Sequence, residues 1–162
     1  MAPSNKVTGP AIPLVYRLFF LWIEPFSTAV GAYYAHFSQR VYMTMTAAPL
    51  TIPPPPVTIT TSIVLTQLAN LYFVFALNEA LVLRSTNDLT VWRAFLFGLL
   101  VADFGHLFSV HQAGVEVYWE FWKWNAMYWG NLGFVYVGAA MRTAFLLGVG
   151  LNRGVVKSKV KK

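Results

Sequence analysis

Four stretches of the chain are apolar almost throughout, at about residues 14–37, 62–83, 89–110 and 127–151. Each is near the roughly 20 residues that a helix needs to cross a bilayer. The breaks between them are polar or proline-rich. Residues 40–61 contain Pro49 and the run from Pro53 to Pro56, where a helix is excluded by the missing donors and the ring clash. That connection is expected to be an extended loop in polyproline II geometry. The second and third stretches are separated only by Arg84-Ser85-Thr86-Asn87-Asp88, a short turn rich in helix-capping residues. An amphipathic segment over about residues 115–126 leads into the fourth stretch. Residues 1–13 are a short N-terminal segment, and residues 152–162 a basic tail with Arg153, Lys157, Lys159, Lys161 and Lys162. The pattern predicts an all-α fold, a polytopic transmembrane four-helix bundle over residues 14–151.

Composition narrows the class further. Only 11% of the 162 residues are charged and 57% are apolar, against roughly 25% charged in an average soluble domain. So few charges cannot cover the surface of a water-soluble fold. There is no cysteine, which excludes disulfides, thiolate metal sites and a thiol nucleophile. The first stretch is longer than the core of a cleaved signal peptide and carries Arg17 and Glu24, so it reads as a mature span.

The net charge of +6 is largely a topology signal. With four spans, both termini lie on one side together with Lys6, Arg84, Arg93 and the tail, eight basic residues against Arg40 and Lys123 on the other. The positive-inside rule then places the N- and C-termini in the cytosol and the proline-rich loop in the lumen. No nucleic acid is needed to explain the charge; the tail reads as a solvated cytosolic end in preference to a specific anionic-lipid site, and membrane lipids are expected partners of the chain as a whole. Trp119, Trp122, Trp124 and Trp129 crowd the entry to the fourth span, at the level where an indole satisfies both its ring and its N–H.

Charge inside the spans changes the picture most. Of six acidic residues, Glu24, Glu79 and Asp103 fall within predicted spans, as do Arg17, His106 and Arg142. Three acids facing lipid singly would cost on the order of 8–10 kcal/mol, so they are expected to face one another across the interior. Helical spacing puts Arg17, Glu24, Thr28 and Gly31 on one face of the first span, and Asn131, Val135, Gly138 and Arg142 on one stripe of the fourth. Asp103 and His106 are neighbours at i,i+3. The expected site is a polar cavity opening toward the cytosolic half, walled by Phe19, Trp22, Tyr72, Phe75 and Phe104. Ion pairs of Arg17 with Glu79, or Arg142 with Asp103, are the competing structural account of the same residues. His36, His106 and His111 lack the paired spacing of a metal site, and no phosphate loop, nucleophile elbow or dinucleotide fingerprint is present. No metal or cofactor is expected.

The order Trp22-Ile23-Glu24-Pro25, Asn78-Glu79-Ala80, Asp103-Phe104-Gly105 and Trp124-Asn125-Ala126 with Trp129 resembles the EXPERA family over about residues 14–150. That family holds the emopamil-binding sterol isomerases and the sigma-2 receptor. The chain is also similar to small fungal integral membrane proteins. The resemblance implies a four-helix membrane domain of the endoplasmic reticulum with an acid-lined lipophilic pocket. It further implies that Glu24, Glu79, Asn125 and Trp129 match the groups with which the isomerases move a double bond through a carbocation. The isomerases carry a histidine one turn before the first glutamate, where this chain has Phe20.

These readings combine into one expectation. A carboxylic acid in an apolar pocket remains a proton donor near neutral pH, because desolvation disfavours its anion. The chain is expected to be a cofactor-independent isomerase or cyclase for a lipophilic terpenoid, sterol-like or polyketide substrate. Glu24 and Glu79 would be the acid/base pair, and Asp103 with His106 a second proton relay. Asn78, Asn125, Trp129, Trp22, Tyr72, Arg17 and Arg142 would contact substrate. The alternative is a non-catalytic lipid or sterol binder of sigma-2 type. A homodimer is compatible with either.

Overall fold

The computed structural model describes residues 12–47 and 53–151, and all regular structure among them is helical. Helix α1 covers residues 14–37, with a π-helical turn at Phe19–Ile23 between its α-helical parts. After a break at Ser38 the chain turns into a shorter helix, α2, at Gln39–Ala47. Helix α3 is Ile59–Ser85 and α4 is Leu89–Ser109. Helix α5 covers residues 126–146 and contains a second π turn, at Trp129–Gly133.

The proline-rich connection is only partly as expected. Residues 53–58 have no regular structure, but 39–47 are helical, because the first proline comes at position 49 and nothing before it blocks a helix. The segment 115–126 is not one amphipathic helix. It is a series of short 3₁₀ turns at Val115–Tyr118 and Phe121–Lys123, held by Trp124 Nε1 donating to the Val117 carbonyl (2.8 Å) and the Tyr118 hydroxyl donating to the Leu107 carbonyl (2.6 Å). The N-terminal segment and the basic tail lie outside the described residues, apart from Ile12 and Pro13.

Capping residues fix the ends of α3 and α4. The Thr58 hydroxyl accepts from the Thr61 N–H, and the Asp88 carboxylate from the Thr90 N–H (2.7 Å), each satisfying a donor that the first helical turn leaves open. Packing pairs α1 with α3 along its Glu24–Phe37 part, and α4 with the Phe134–Leu146 part of α5. An aromatic core closes the end nearest the chain termini. Tyr16, Phe19 and Phe20 of α1 meet Leu83, Trp92, Leu96 and Phe145 there, and Phe20, Leu96 and Phe145 are fully buried. Trp92 Nε1 donates to the Thr86 carbonyl (2.9 Å), and the Tyr16 hydroxyl to the Val149 carbonyl (2.9 Å), so the polar atoms of this core are partnered. Helices α3 and α4, although joined by a short turn, barely touch.

Candidate functional site

Beyond the aromatic core the two helix pairs part, and a cavity of about 400 Å³ lies between them. Its floor is charged. Arg142 of α5, only 3% exposed, donates from Nη2 to Glu24 Oε1 and from Nη1 to Asp103 Oδ2 (2.6 Å). One guanidinium therefore ties α1, α4 and α5 together, with its two terminal nitrogens on two different carboxylates. Glu79 of α3, also 3% exposed, sets its carboxyl against that of Glu24. Phe20 presents its ring to the guanidinium from the core side, 5.9 Å from centroid to Cζ. Gly138 makes the clamp sterically feasible, since a Cβ there would stand 2.7 Å from Arg142 Nη1.

Local chain chemistry explains how Glu24 is aimed. Pro25 has no N–H, so the Leu21 carbonyl four residues earlier loses its α-helical donor. The chain responds with the π turn, in which the Glu24 N–H reaches back to the Phe19 carbonyl. Arg84 of α3 supplies the missing donor, its Nη2 lying 2.5 Å from the Leu21 carbonyl, and stacks over the Trp22 ring at 4.4 Å. The π turn adds about one residue to the helical repeat, a rotation of about 100°. Glu24, Thr28 and Gly31 consequently line the cavity, while Arg17 is turned outward and exposed.

The cavity brings Glu24, Glu79, Asp103 and His106 together, with Tyr72 and Arg142. Oxygens Glu24 Oε2 and Glu79 Oε1 and nitrogens His106 Nε2 and Arg142 Nε are buried without a hydrogen-bond partner among the described residues. His106 rests against the Asn131 backbone. Five of the expected contacts lie elsewhere. Arg17 is exposed, and the Arg17–Glu79 pair is absent among the described residues, whereas the Arg142–Asp103 pair is present. Asn78 is exposed on the far face of α3, because its position next to Glu79 in sequence turns it about 100° around the helix. Trp22 faces outward under Arg84. Asn125 is the N-cap of α5: its Oδ1 accepts from the Tyr128 N–H (3.0 Å) and its Nδ2 donates to the Met45 carbonyl (2.7 Å). Trp129 is half-exposed and packs edge-on against Trp124.

The expected direction and walls also need correction. The cavity extends from the acid cluster along Thr28, Gly31 and Tyr34 of α1 toward Met45 and Met127, away from the chain termini. The aromatic core blocks the other direction, and Phe19 belongs to that core. Phe104 is exposed, and Tyr72 and Phe75 are the expected wall residues that do line the space. Ser27, Tyr34 and Met127 line it as well and were not singled out from the sequence, although Ser27 lies one turn from Glu24. Among the described residues no three His, Asp or Glu side chains are grouped to hold a metal ion.

The protein is thus all-helical, with an acid-floored cavity between its helices. Two helices, Ile59–Ser85 and Leu89–Ala113, are long and apolar enough to cross a membrane. Residues 9–152 match the family described as a domain of unknown function, DUF7704, and the chain belongs to that family. Neither a curated protein nor a solved structure matches the chain.

Proposed function

We propose that the chain is a four-span membrane domain that binds a lipophilic small molecule and rearranges it by protonation. The observation that carries this reading is the cavity floor, where three carboxyls cluster around one guanidinium that pairs with two of them, beneath largely apolar walls. One guanidinium cannot balance three carboxylates, and burial makes the unbalanced charge costly, so the cluster retains a proton. Helices α1 and α5 complete the four spans with α3 and α4, being 24 and 21 residues long without interruption. The distribution of basic residues supports a cytosolic location of both chain ends, and the EXPERA resemblance supports the endoplasmic reticulum.

The chemistry follows from the placement of the acids. Glu79, which faces Glu24 and not the arginine, is the donor. Its proton forms a C–H bond to one carbon of a substrate double bond, and the neighbouring carbon becomes cationic. The ring faces of Tyr72 and Phe75 lie along the cavity to stabilise that charge. A different proton then leaves to the Asp103 carboxylate or to His106 Nε2, giving a shifted double bond; attack by a second double bond before that step closes a ring. Substrate and product are isomers; the released proton passes through the cluster to water, and Glu79 is reprotonated from water before the next turnover. Arg142 positions Glu24 and Asp103. Asn125 and Trp129, which the resemblance suggests as contacts, are replaced at the cavity wall by Asn131 and Met127.

The test uses membranes carrying the full chain, supplied with terpenoid, sterol and polyketide precursors in deuterated water. Wild type is expected to form an isomer with one deuterium at carbon, and Glu79→Gln to bind the same precursor without converting it. No conversion of any precursor class by the wild type refutes the catalytic reading. The non-catalytic binder is favoured by one observation, that Glu24 and Asp103 already have a salt-bridge partner in Arg142.

A further inference from the structure

The outward face of α3 carries three carboxamides within the length that the proposed membrane would cover. Gln67, Asn70 and Asn78 are all exposed there. At 100° per residue they fall in one stripe with Val74 and Leu81, opposite the buried stripe of Leu65, Ala69, Ala76, Glu79 and Leu83. They face away from the rest of the chain, and none has a side-chain hydrogen-bond partner among the described residues. On α4 the corresponding outward positions are Ala94, Phe97, Gly98, Val101, Phe104 and Phe108, all apolar. Gln67 and Asn78 are 11 positions apart, about 17 Å along the axis, which fits within a hydrocarbon layer about 30 Å thick. Lipid tails offer an amide neither donor nor acceptor, so three carboxamides at this depth need a polar partner from outside the chain.

We infer that the α3 stripe is the interface of a homodimer in which Gln67, Asn70 and Asn78 pair with their counterparts in a second copy. The inference rests on the reading of α3 as a membrane span. A second copy fits for a reason of symmetry. All copies insert in one orientation, so the two-fold axis relating them lies along the membrane normal and α3 meets α3 running in the same direction. Each carboxamide then meets its own counterpart at its own depth. A carboxamide carries both donor and acceptor, so identical residues satisfy one another, whereas a carboxylate or an ammonium pair would repel. An unrelated partner would have to place polar groups at three matching depths.

The natural absence of cysteine makes the test direct. Val74 is in the stripe and exposed, and Val101 is exposed on the outward side of α4. Membranes carrying full-length Val74→Cys or Val101→Cys are treated with a mild oxidant and run without reductant. A disulfide requires Cα atoms within about 7 Å, so Val74→Cys is expected to give a covalent dimer and Val101→Cys a monomer. Adding Asn70→Leu and Asn78→Leu to Val74→Cys is expected to abolish the dimer, with the chain still retained in alkaline-washed membranes. Equal dimer from both cysteines, dimer from neither, or a cross-link of Val74→Cys to a different protein overturns the inference. Release of the chain by the alkaline wash refutes the membrane reading instead, independently of any cross-link.

Discussion

Removing the guanidinium at the centre of the cluster is the most demanding test of how the site is held. In Arg142→Met the side chain keeps much of its bulk but leaves Glu24 and Asp103, two largely buried carboxylates, without their shared partner. Breaking a buried ion pair from one side costs about 3–5 kcal/mol, mostly from the stranded partner. For a chain of this size about 2–4 °C is lost per kcal/mol, so thermal denaturation in detergent is expected to fall by about 6–20 °C. The same logic gives a second, sharper expectation. Glu24→Gln and Asp103→Asn remove the charges that Arg142→Met strands, so the triple variant is expected to recover most of the lost stability. The coupling between the three sites should then be in the range of about 0.5–3 kcal/mol found for residues in one network, or above it. A wild-type melting temperature in Arg142→Met, or a triple variant whose loss equals the sum of the singles, refutes the account of one clamp holding three helices.

Other substitutions test separate parts of the reading. Gly138→Ala puts a methyl 2.7 Å from a guanidinium nitrogen that two carboxylates pin in place, and is expected to cost about 1–3 kcal/mol in the same melt; Gly130→Ala, with nothing within 4 Å, should be neutral. Asn125→Ala loses the α5 cap and the bond to Met45, so about 1–3 kcal/mol of stability is expected to go, with ligand affinity unchanged in the fraction that remains folded. A loss of turnover in Asn125→Ala without loss of stability would instead favour the role that the EXPERA resemblance implies. Asp88→Ala removes the α4 cap and is expected to cost about 1 kcal/mol with no effect on ligand binding.

Run length made the long helices legible. The stretches expected at 14–37, 62–83 and 89–110 differ by no more than three residues at either end from residues 14–37, Ile59–Ser85 and Leu89–Ser109. The expected end at 151 was too late, since α5 gives way to turns after Leu146, where Gly148 and Gly150 adopt positive φ of 82° and 71°. Among the site residues, the acids in apolar stretches were legible because an apolar surrounding leaves a carboxylate few places to go, and Glu24, Glu79 and Asp103 do meet. Residues near those acids in the quoted motifs were not: Asn78 and Trp22 lie one and two positions from Glu79 and Glu24 in the chain but more than a quarter of a turn away around the helix. Arg17 failed for a different reason, because seven residues make two turns only in an unbroken α-helix.

The two π turns connect these points. Each lies on a helix that contributes to the cavity; in α1 the turn sits where the helix passes from the packed end to the open end, and in α5 it lies at the open end, among residues that line the cavity. In α1 the cause is visible, since Pro25 removes a donor and Arg84 of α3 replaces it, stacked on Trp22. Trp22, Glu24 and Pro25 thus form one structural unit in which only Glu24 reaches the cavity; Pro25 creates the irregularity, and Trp22 with Arg84 satisfies it from outside. In α5 no proline is present, but Gly133 leaves room for the Trp129 ring to lie over the backbone, where a Cβ would come within 2.7 Å of it. A π turn leaves the ladder weaker than an α-turn and changes the helical phase by about 100°. In α1 the phase before the turn directs aromatic residues into the shared core and the phase after it directs Glu24 into the cavity; in α5 Asn131, within the turn, and Val135, just after it, reach the same space. The short Trp22–Pro25 pattern therefore encodes a change of helical phase, and the position of the first acid in the cavity is a consequence of it.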